Sequence, residues 1–377
     1  MNRFVRLAAG AGLVFALSAL ATPAIAGAEG NPDHAAGVVF VQTDNVAGNQ
    51  VVAYDRAWDG TLTYAATYDT GGLGGALNGA KVDFLASQGS LTYDQAHGLL
   101  FAVNAGSNTV SVFKVHHDDL ELVQQIASGG TFPVSVASHG NLAYVLNAFD
   151  GGSVAAFWIG GGLLHVIAGS TRSLGLTIPT DATQFTHTPG QVAVSPDGHQ
   201  LIVTTKATTS SIDVFRIHHG GWLSDSPAVN VEPGAVPFAI SFDHRGDLVI
   251  ANAGTNSLST YQLNWDGTVT QIDSVLTGQK ATCWVTTARG FLFASNAGSP
   301  SESGFGVDDG QLSLVSTTTT DPGAVDAAAS DGGRYLYVQA GLNGNVDEFR
   351  VNWDGSLTSI GSVTVPGGAG GEGIVAI

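Results

Sequence analysis

Residues 193–215 read AVSPDGHQLIVTTKATTSSIDVF and contain the strands and turns of one repeated unit. A short strand enters the turn Ser195-Pro196-Asp197-Gly198, and a second strand follows it at Leu201-Ile202-Val203. A third segment, Ser211–Phe215, alternates polar and apolar residues. Such alternation is typical of a half-buried strand, and Asp-Gly between apolar runs is typical of a hairpin. The stretch therefore predicts antiparallel strands joined by tight turns.

An aromatic residue equivalent to Phe215 ends a short alternating segment seven times along the chain, and we call these residues the anchors. They are Tyr54, Phe113, Phe157, Phe215, Tyr261, Phe305 and Phe349. A turn rich in Asp and Gly follows each anchor, and a further strand follows the turn. Successive anchors are 59, 44, 58, 46, 44 and 44 residues apart. Four-stranded units at this spacing are propeller blades, so the sequence predicts an all-β, seven-bladed β-propeller with four-stranded blades.

The two ends of the chain supply complementary parts of one blade. The first repeat begins at Val38 and lacks an innermost strand, whereas the last five residues, Gly373–Ile377, form a strand without a blade. We expect this C-terminal strand to pair into the first blade and close the ring. Closure would remove the exposed sheet edges that otherwise invite aggregation.

The N-terminal residues are typical of an export signal. Arg3 and Arg6 precede an apolar stretch, and Ala24-Ile25-Ala26 has the small-residue pattern of a cleavage site. We therefore predict a signal peptide over 1–26, a secreted protein, and a single propeller domain over 27–377. An uncleaved membrane anchor is the alternative, and after cleavage we expect no association with a membrane.

Charge and cysteine content exclude several classes of partner and cross-link. The formal net charge is −18, and such an acidic surface repels phosphate backbones, so nucleic acid is not expected as a partner. Cys283 is the only cysteine, so no intrachain disulfide can form. We expect a monomer that is held together by its core and its ring topology.

Two of the intervals between anchors carry extra residues, which fall around 71–82 and 170–188. Both segments connect the outermost strand of one blade with the innermost strand of the next. In a propeller such connections emerge on one face, which we call the long-loop face. Long loops in a compact domain are often functional, so we expect this face to bind a ligand. Neutral growth of surface loops is the alternative.

Aligning the repeats places polar and aromatic side chains around the channel mouth on the long-loop face, with Asp83 at the start of an innermost strand. Three of the four lysines map to this face, which favours a small polar, carboxylated or carbohydrate ligand. The expected ligand-binding residues are Gln191, Asp83, Trp284, Asp326, Glu372, Lys81 and Lys280. The alternative is that these groups only satisfy one another and trapped water in a narrow channel.

No complete residue set for metal or thiol chemistry is apparent in the sequence. Asp83, Asp326 and Glu372 could together hold calcium, but their spacing is not that of a calcium loop. The pairs His116-His117 and His218-His219 fall on turns of different blades, which is no tetrahedral zinc set. Cys283 is expected to be a small buried apolar residue. We therefore predict no metal ion and no cofactor.

The run from Pro189 to Phe215 resembles the lactonase-like seven-bladed propellers, a family that includes 6-phosphogluconolactonases and carboxymuconate-cyclising enzymes. The likeness recurs in every blade, and it implies hydrolysis of a lactone or related cyclic ester at the channel mouth. The sequence departs from the family at two places. The usual Pro-Arg-His is Pro189-Gly190-Gln191 here, and the glutamate expected after the next strand is Lys206.

Two residues are left as candidates for the chemistry that the resemblance implies. Lys206 would polarise the lactone carbonyl, and His187, at the end of the second long connection, would activate water. The alternative is a non-catalytic propeller that binds a small anionic ligand, a glycan or a protein on the long-loop face.

Overall fold

The computed structural model describes residues 36–117 and 119–377, and the predicted signal peptide lies outside these ranges. Within them the regular structure is almost entirely antiparallel β-sheet, arranged as seven sheets. The innermost strands of successive sheets pack against one another around a closed ring. The predicted all-β, seven-bladed propeller is therefore confirmed.

Each blade follows the chain from its innermost strand outward, and the first blade begins at its second strand. The strands of blades 1 to 3 are β1 Gly37–Gln42, β2 Gln50–Arg56, β3 Leu62–Asp69; β4 Leu91–Asp94, β5 Leu99–Asn104, β6 Thr109–His116, β7 Asp119–Ala127; β8 Pro133–His139, β9 Leu142–Asn147, β10 Ser153–Gly160, β11 Leu163–Val166 and the short extra strand β12 Arg172–Ser173. The extra strand pairs with β10.

Blades 4 to 7 repeat this order. They contain β13 Val192–Val194, β14 Gln200–Thr204, the α-helix α1 Lys206–Thr209, β15 Ser211–Arg216, β16 Ala228–Val231; β17 Pro237–Phe242, β18 Leu248–Asn252, β19 Ser257–Leu263, β20 Val269–Leu276; β21 Thr282–Ala288, β22 Phe291–Asn296, β23 Ser301–Asp308, β24 Gln311–Thr319; β25 Ala324–Ala329, β26 Tyr335–Ala340, β27 Asn345–Val351 and β28 Leu357–Thr364. Among the described residues, no helix is both long enough and apolar enough to span a lipid bilayer.

The C-terminal strand closes the ring as predicted. β29, Ile374–Ala376, pairs antiparallel with β1 and becomes the innermost strand of blade 1. The register places Ile374 opposite Val41 and Ala376 opposite Val39. Blade 1 thus joins the two ends of the chain.

The anchors form the core between the blades. All seven lie in third strands, and each side chain is at most 2% exposed. Burial of a large aromatic side chain at the same register in every blade removes a large apolar area from water seven times over. This repeated burial explains why the anchor spacing alone predicts the blade count.

The strands alternate in direction, so the two faces of the ring differ. The innermost strands begin at the long-loop face and end at the opposite face, which carries the tight hairpin turns and which we call the hairpin face. The two long connections are residues 70–90, between β3 and β4, and residues 174–191, between β12 and β13. The repeat alignment was wrong for Asp83, because β4 begins only at Leu91 and Asp83 belongs to the first long connection.

Candidate functional site: the capped channel mouth

The two long connections meet over the channel mouth. The Asn78 backbone N–H donates to Oε1 of Gln184 at 2.9 Å, and the Asn78 side-chain amide donates to the carbonyl of Thr180 at 3.0 Å. Gly79 lies so close to Ala182 that a Cβ at this glycine would overlap the Ala182 carbonyl. The two connections therefore form one joint cover on the long-loop face.

Residues 83–89, which we call the capping segment, turn inward below this cover. The Asp83 carboxylate accepts hydrogen bonds from the backbone N–H groups of Leu85, Ala86 and Ser87, at 2.8, 2.7 and 2.9 Å. Ala86 has a φ of +48°, in the left-handed region that disfavours side chains. Asp83 therefore stabilises a tight turn, since a short carboxylate can satisfy the N–H groups of the residues that follow it.

The capping segment is bonded across the channel to blade 6. The Gln88 side-chain amide accepts from the Val285 N–H at 3.0 Å and donates to the Val285 carbonyl at 2.9 Å, as a paired strand would. The indole N–H of Trp284 donates to the Ser87 carbonyl at 2.7 Å. Trp284 is thus a structural support of the capping segment in this structure.

Further bonds tie the capping segment to blades 3, 4 and 1. The Ser87 hydroxyl donates to the Val134 carbonyl at 2.9 Å, and the Gln88 N–H donates to the Gly190 carbonyl at 3.2 Å. The Gly89 N–H donates to a carboxylate oxygen of Glu372 at 2.9 Å. Four blades therefore hold these residues at the centre of the ring, where they fill the channel mouth.

Lys206 is buried beneath the two long connections. Its Nζ donates to the Ala86 carbonyl at 2.6 Å, to the Phe185 carbonyl at 2.7 Å and to the Thr188 hydroxyl at 2.9 Å. An ammonium group has three N–H donors, and here each has a protein acceptor. Because Ala86 and Phe185 belong to different long connections, this amine fastens both of them to blade 4.

Asp83 and Lys206 influence each other electrostatically. Burial lowers the pKa of Lys206, and the negative charge of Asp83 opposes that shift. Burial likewise raises the pKa of Asp83, whereas its three backbone hydrogen bonds and the positive charge of Lys206 oppose the rise. The two buried groups thus stabilise each other's charged forms.

Four more buried carboxyl groups lie toward blades 1, 6 and 7. Burial raises the pKa of Asp44 and of Glu302 to about 8. Burial also raises the pKa of Asp326 and of Glu372, and the neighbouring carboxyl groups raise the Glu372 pKa further. Asp326 accepts the Ala327 N–H at 2.9 Å, and Asp44 accepts the Glu372 N–H at 2.8 Å. These groups thus serve as neutral or hydrogen-bonded parts of the core near neutral pH.

The remaining residues predicted for the site do not converge on an open pocket. The Gln191 side chain accepts the Ile240 N–H at 2.6 Å, which ties blade 4 to blade 5. The half-buried His187 ring is engaged by its own connection, with Nδ1 2.9 Å from both the Thr183 carbonyl and the Thr186 hydroxyl. Lys81 and Lys280 are exposed on the long-loop face. The catalytic roles of His187 and Lys206 stay predictions, as do the binding roles of the other residues.

Cys283 lies beside Trp284, at the start of β21. Its thiol is buried, and burial raises its pKa to about 12. Because the thiolate is the nucleophilic form, this environment disfavours thiol chemistry. Within residues 36–117 and 119–377, no group of three or more His, Cys, Asp or Glu side chains is placed to hold a metal ion.

The channel is open at its other end, on the hairpin face. A cavity of about 480 Å³ lies there between the ends of the innermost strands of blades 1, 2, 6 and 7. Its polar lining includes Thr92, Tyr93, Gln95, Thr286 and Asp331. We call this cavity the open mouth.

Comparison with known proteins agrees with the fold and the repeat. The family model described as Lactonase, 7-bladed beta-propeller, matches residues 139–286. A proposed 6-phosphogluconolactonase of Bacteroides fragilis superposes with a TM-score of 0.74 at 19% identity, over 90% of this chain and 97% of that chain. The periplasmic gluconolactonase of Pseudomonas aeruginosa superposes with a TM-score of 0.70 at 19% identity, over 90% and 98%.

A more distant structural neighbour is virginiamycin B lyase of Staphylococcus aureus, with a TM-score of 0.54 at 11% identity, over 78% of this chain and 90% of that chain. Comparison with curated proteins finds no sequence match. The fold and the channel define a seven-bladed propeller. Over residues 139–286, a region that contains Gln191 and Lys206, the chain is similar to the lactonase propellers.

Sequence reasoning missed the residues that close the mouth. Ser87 and Gln88 hold the capping segment, and Asp44 holds the backbone of Glu372. One signal was available: the polar run Ala86-Ser87-Gln88-Gly89-Ser90 stands directly before β4, where most other blades have an apolar innermost strand. That run indicates that these residues lie outside the sheet, although it does not indicate which part of the ring they contact.

Proposed function

We propose that this chain is an exported lactonase-like propeller that binds a ligand without hydrolysing it. The observation that carries the proposal is the closed mouth: the capping segment fills it, and all three donors of Lys206 are used by protein oxygens. Ester hydrolysis needs donors aimed at the developing oxyanion and a group that activates water. Lys206 has no donor to spare, and the amide of Gln191 is no acid or base at neutral pH.

The hairpin face supports ligand binding better than the long-loop face. Its open mouth has room for a small molecule, and the polar residues Tyr93, Gln95 and Thr286 line it together with Asp331. Concave sites with a few convergent polar groups are the usual form of small-molecule sites. The predicted binding face is therefore replaced, in this proposal, by the opposite one.

Export is the second part of the proposal. Arg3, Arg6 and the Ala24-Ile25-Ala26 pattern support a cleaved signal peptide over residues 1–26. The similar gluconolactonase of Pseudomonas aeruginosa is described as periplasmic, which is consistent with an exported location. Mass spectrometry of the mature protein should find an N-terminus near Gly27, and an intact Met1 would contradict cleavage.

Lactone hydrolysis on the long-loop face is the second candidate function. The family model favours it, because the matched residues 139–286 include His187, Gln191 and Lys206. In this case the capping segment would have to leave the mouth before a substrate could enter. The bonds to four blades would then have to break in every catalytic cycle.

A panel of aldonolactones separates the two candidates. Acid release from glucono-δ-lactone and 6-phosphogluconolactone is followed with a pH indicator for the wild type, Lys206→Met and Lys280→Met. We expect all three to match the uncatalysed rate. Turnover by the wild type and by Lys280→Met, but not by Lys206→Met, would overturn the binding proposal and support hydrolysis.

A further inference from the structure

The tryptophans of this chain are distributed unevenly. Five of the six are exposed, and only Trp284 is buried in the capped mouth. The exposed fractions are Trp58 73%, Trp158 48%, Trp222 41%, Trp265 63% and Trp353 82%. All five lie on the hairpin face, at the end of a third strand or in the turn that follows it. Repeated exposure of the largest aromatic residue on one face indicates an interaction surface.

Three of these tryptophans occupy identical turns with the sequence Trp-Asp-Gly, at 58–60, 265–267 and 353–355. In each turn, the aspartate carboxylate accepts hydrogen bonds from the backbone N–H and the hydroxyl of the residue two positions later. The glycine has a positive φ in all three. Asp, Gly and a hydroxyl residue thus hold the turn, so its geometry does not explain why a tryptophan precedes it.

A cleft lies beside Trp265, between blades 4 and 5. Its volume is about 250 Å³, and its lining includes Gln200, Arg216, His218 and Asp266. The Arg216 guanidinium lies 5.1 Å from the centroid of the indole ring and donates to the Trp265 carbonyl at 3.3 Å. The Trp265 indole is therefore held in place, so that a ligand that stacks on it loses little side-chain entropy, while much of the indole still faces solvent.

The preceding blade also contacts the other two turns, through the indole ring of Trp353 and through the backbone of Trp58. Arg289 of blade 6 lies 3.5 Å from the ring centroid of Trp353 in blade 7. Tyr335 of blade 7 donates its hydroxyl to the Trp58 carbonyl in blade 1 at 2.8 Å. In each case the preceding blade fixes the turn of the next. Three similar aromatic platforms therefore face the same side of one rigid ring.

We propose that the hairpin face binds a neutral polysaccharide and that the cleft beside Trp265 holds one of its pyranose units. A pyranose ring presents a face of C–H groups that stacks on an indole, and a rim of hydroxyl groups that pairs with Arg216 and Asp266. The formal net charge of −18 disfavours acidic polymers. Trp58 and Trp353 provide further stacking sites, so a polymer that spans them gains avidity.

This inference goes beyond the proposed function, since it holds whether or not the capped mouth hydrolyses lactones. Native gels that contain laminarin, starch, mannan or xylan, with alginate as the acidic counterpart, provide the test. At least one neutral polymer should retard the wild type. Trp265→Ala should weaken its apparent association constant by about tenfold, the size expected for an aromatic anchor, and the triple variant Trp58→Ala/Trp265→Ala/Trp353→Ala should migrate as if no polymer were present.

Leu276→Ala is the matched control, because Leu276 is 67% exposed and lies at the end of β20 that faces away from the hairpin face. It should be retarded like the wild type. All variants should melt close to the wild type, because Asp, Gly and hydroxyl residues hold the turns. Normal mobility of the wild type in every neutral polymer, retardation by alginate alone, or full retardation of the triple variant would each overturn the proposal.

Discussion

The two faces of this ring use their conspicuous residues in opposite ways. On the long-loop face, Lys206 and Trp284 are buried and bonded to the capping segment. On the hairpin face, equally conspicuous tryptophans stay in solvent, and Trp265 lies beside a cleft. A buried polar group without a partner is costly, so a fully bonded group at a channel mouth is explained by stability alone. An exposed tryptophan that its turn does not require has no such explanation.

The lysines show the same contrast within one face. Lys206 is 1% exposed and has three acceptors, whereas Lys280 lies in solvent. Both map to the long-loop face, and the sequence treats them alike. The difference teaches that position near a channel mouth does not identify a binding group until its hydrogen bonds are counted.

Of the changes that test the contrast between the faces, removal of residues 373–377 should lower the stability of the protein most. The deletion removes β29, reopens the ring at blade 1 and disturbs the Glu372 carboxylate that holds Gly89. We expect a loss of several kcal/mol from a typical total of about 5–15 kcal/mol, and a sharply lower melting temperature by circular dichroism. Ile374→Val keeps the strand and should cost about 1 kcal/mol. An unchanged melting temperature in the deletion variant would contradict ring closure.

Replacing Lys206 should cause the next largest loss of stability. Lys206→Met leaves the Ala86 and Phe185 carbonyls without their donor and leaves the Asp83 charge unbalanced. We expect the free energy of unfolding in urea to fall by about 3 kcal/mol or more. The exposed counterpart Lys280→Met should stay within about 0.5 kcal/mol of the wild type. Equal stability of the two variants would show that the mouth is not a structural centre.

A smaller effect concerns pH. Burial raises the pKa of Glu302 from 4.5 to about 8, so the folded state keeps a proton that the unfolded state releases. The stability this group contributes is complete below pH 4.5 and is lost as the pH rises to about 8, by roughly 1 kcal/mol for each pH unit.

Glu302→Gln should therefore flatten the decline of melting temperature between pH 5 and pH 8. Asp308→Asn, at an exposed position of the same strand β23, should decline as the wild type does. If Glu302→Gln and the wild type decline in parallel, the carboxyl group at Glu302 is not protonated in the folded protein. The acidic residues around the mouth would then need another explanation, such as solvent access.

The fold was predictable because its signals are local and repeated. Each anchor, such as Phe215, is followed within a few residues by its turn, and the last strand matches the gap left in the first blade. The capped mouth was not predictable in this way. Gln88 bonds to Val285, 197 positions later in the chain, and Ala86 adopts a left-handed conformation that no sequence pattern demands. The repeat alignment placed Asp83 in a strand because it assumed that the first long connection had ended by then.

The hairpin-face tryptophans lay between these two cases. The turns Asp59-Gly60, Asp266-Gly267 and Asp354-Gly355 were predicted correctly as hairpins, and a tryptophan stands before each in the sequence. Their exposure depends on the neighbouring blade, since Arg216 and Arg289 pack from outside the blade that carries the turn. Sequence spacing does not reveal such contacts between blades.

Amide hydrogen exchange of the capping segment tests the central claim most directly. The N–H groups of Leu85, Ala86 and Ser87 are bonded to buried Asp83, so they should exchange as slowly as those of core strands such as β5. Exchange as fast as in the exposed turn at Val46 would mean that the segment opens readily. The mouth would then be a lid over a site, and the contrast between the two faces would fail.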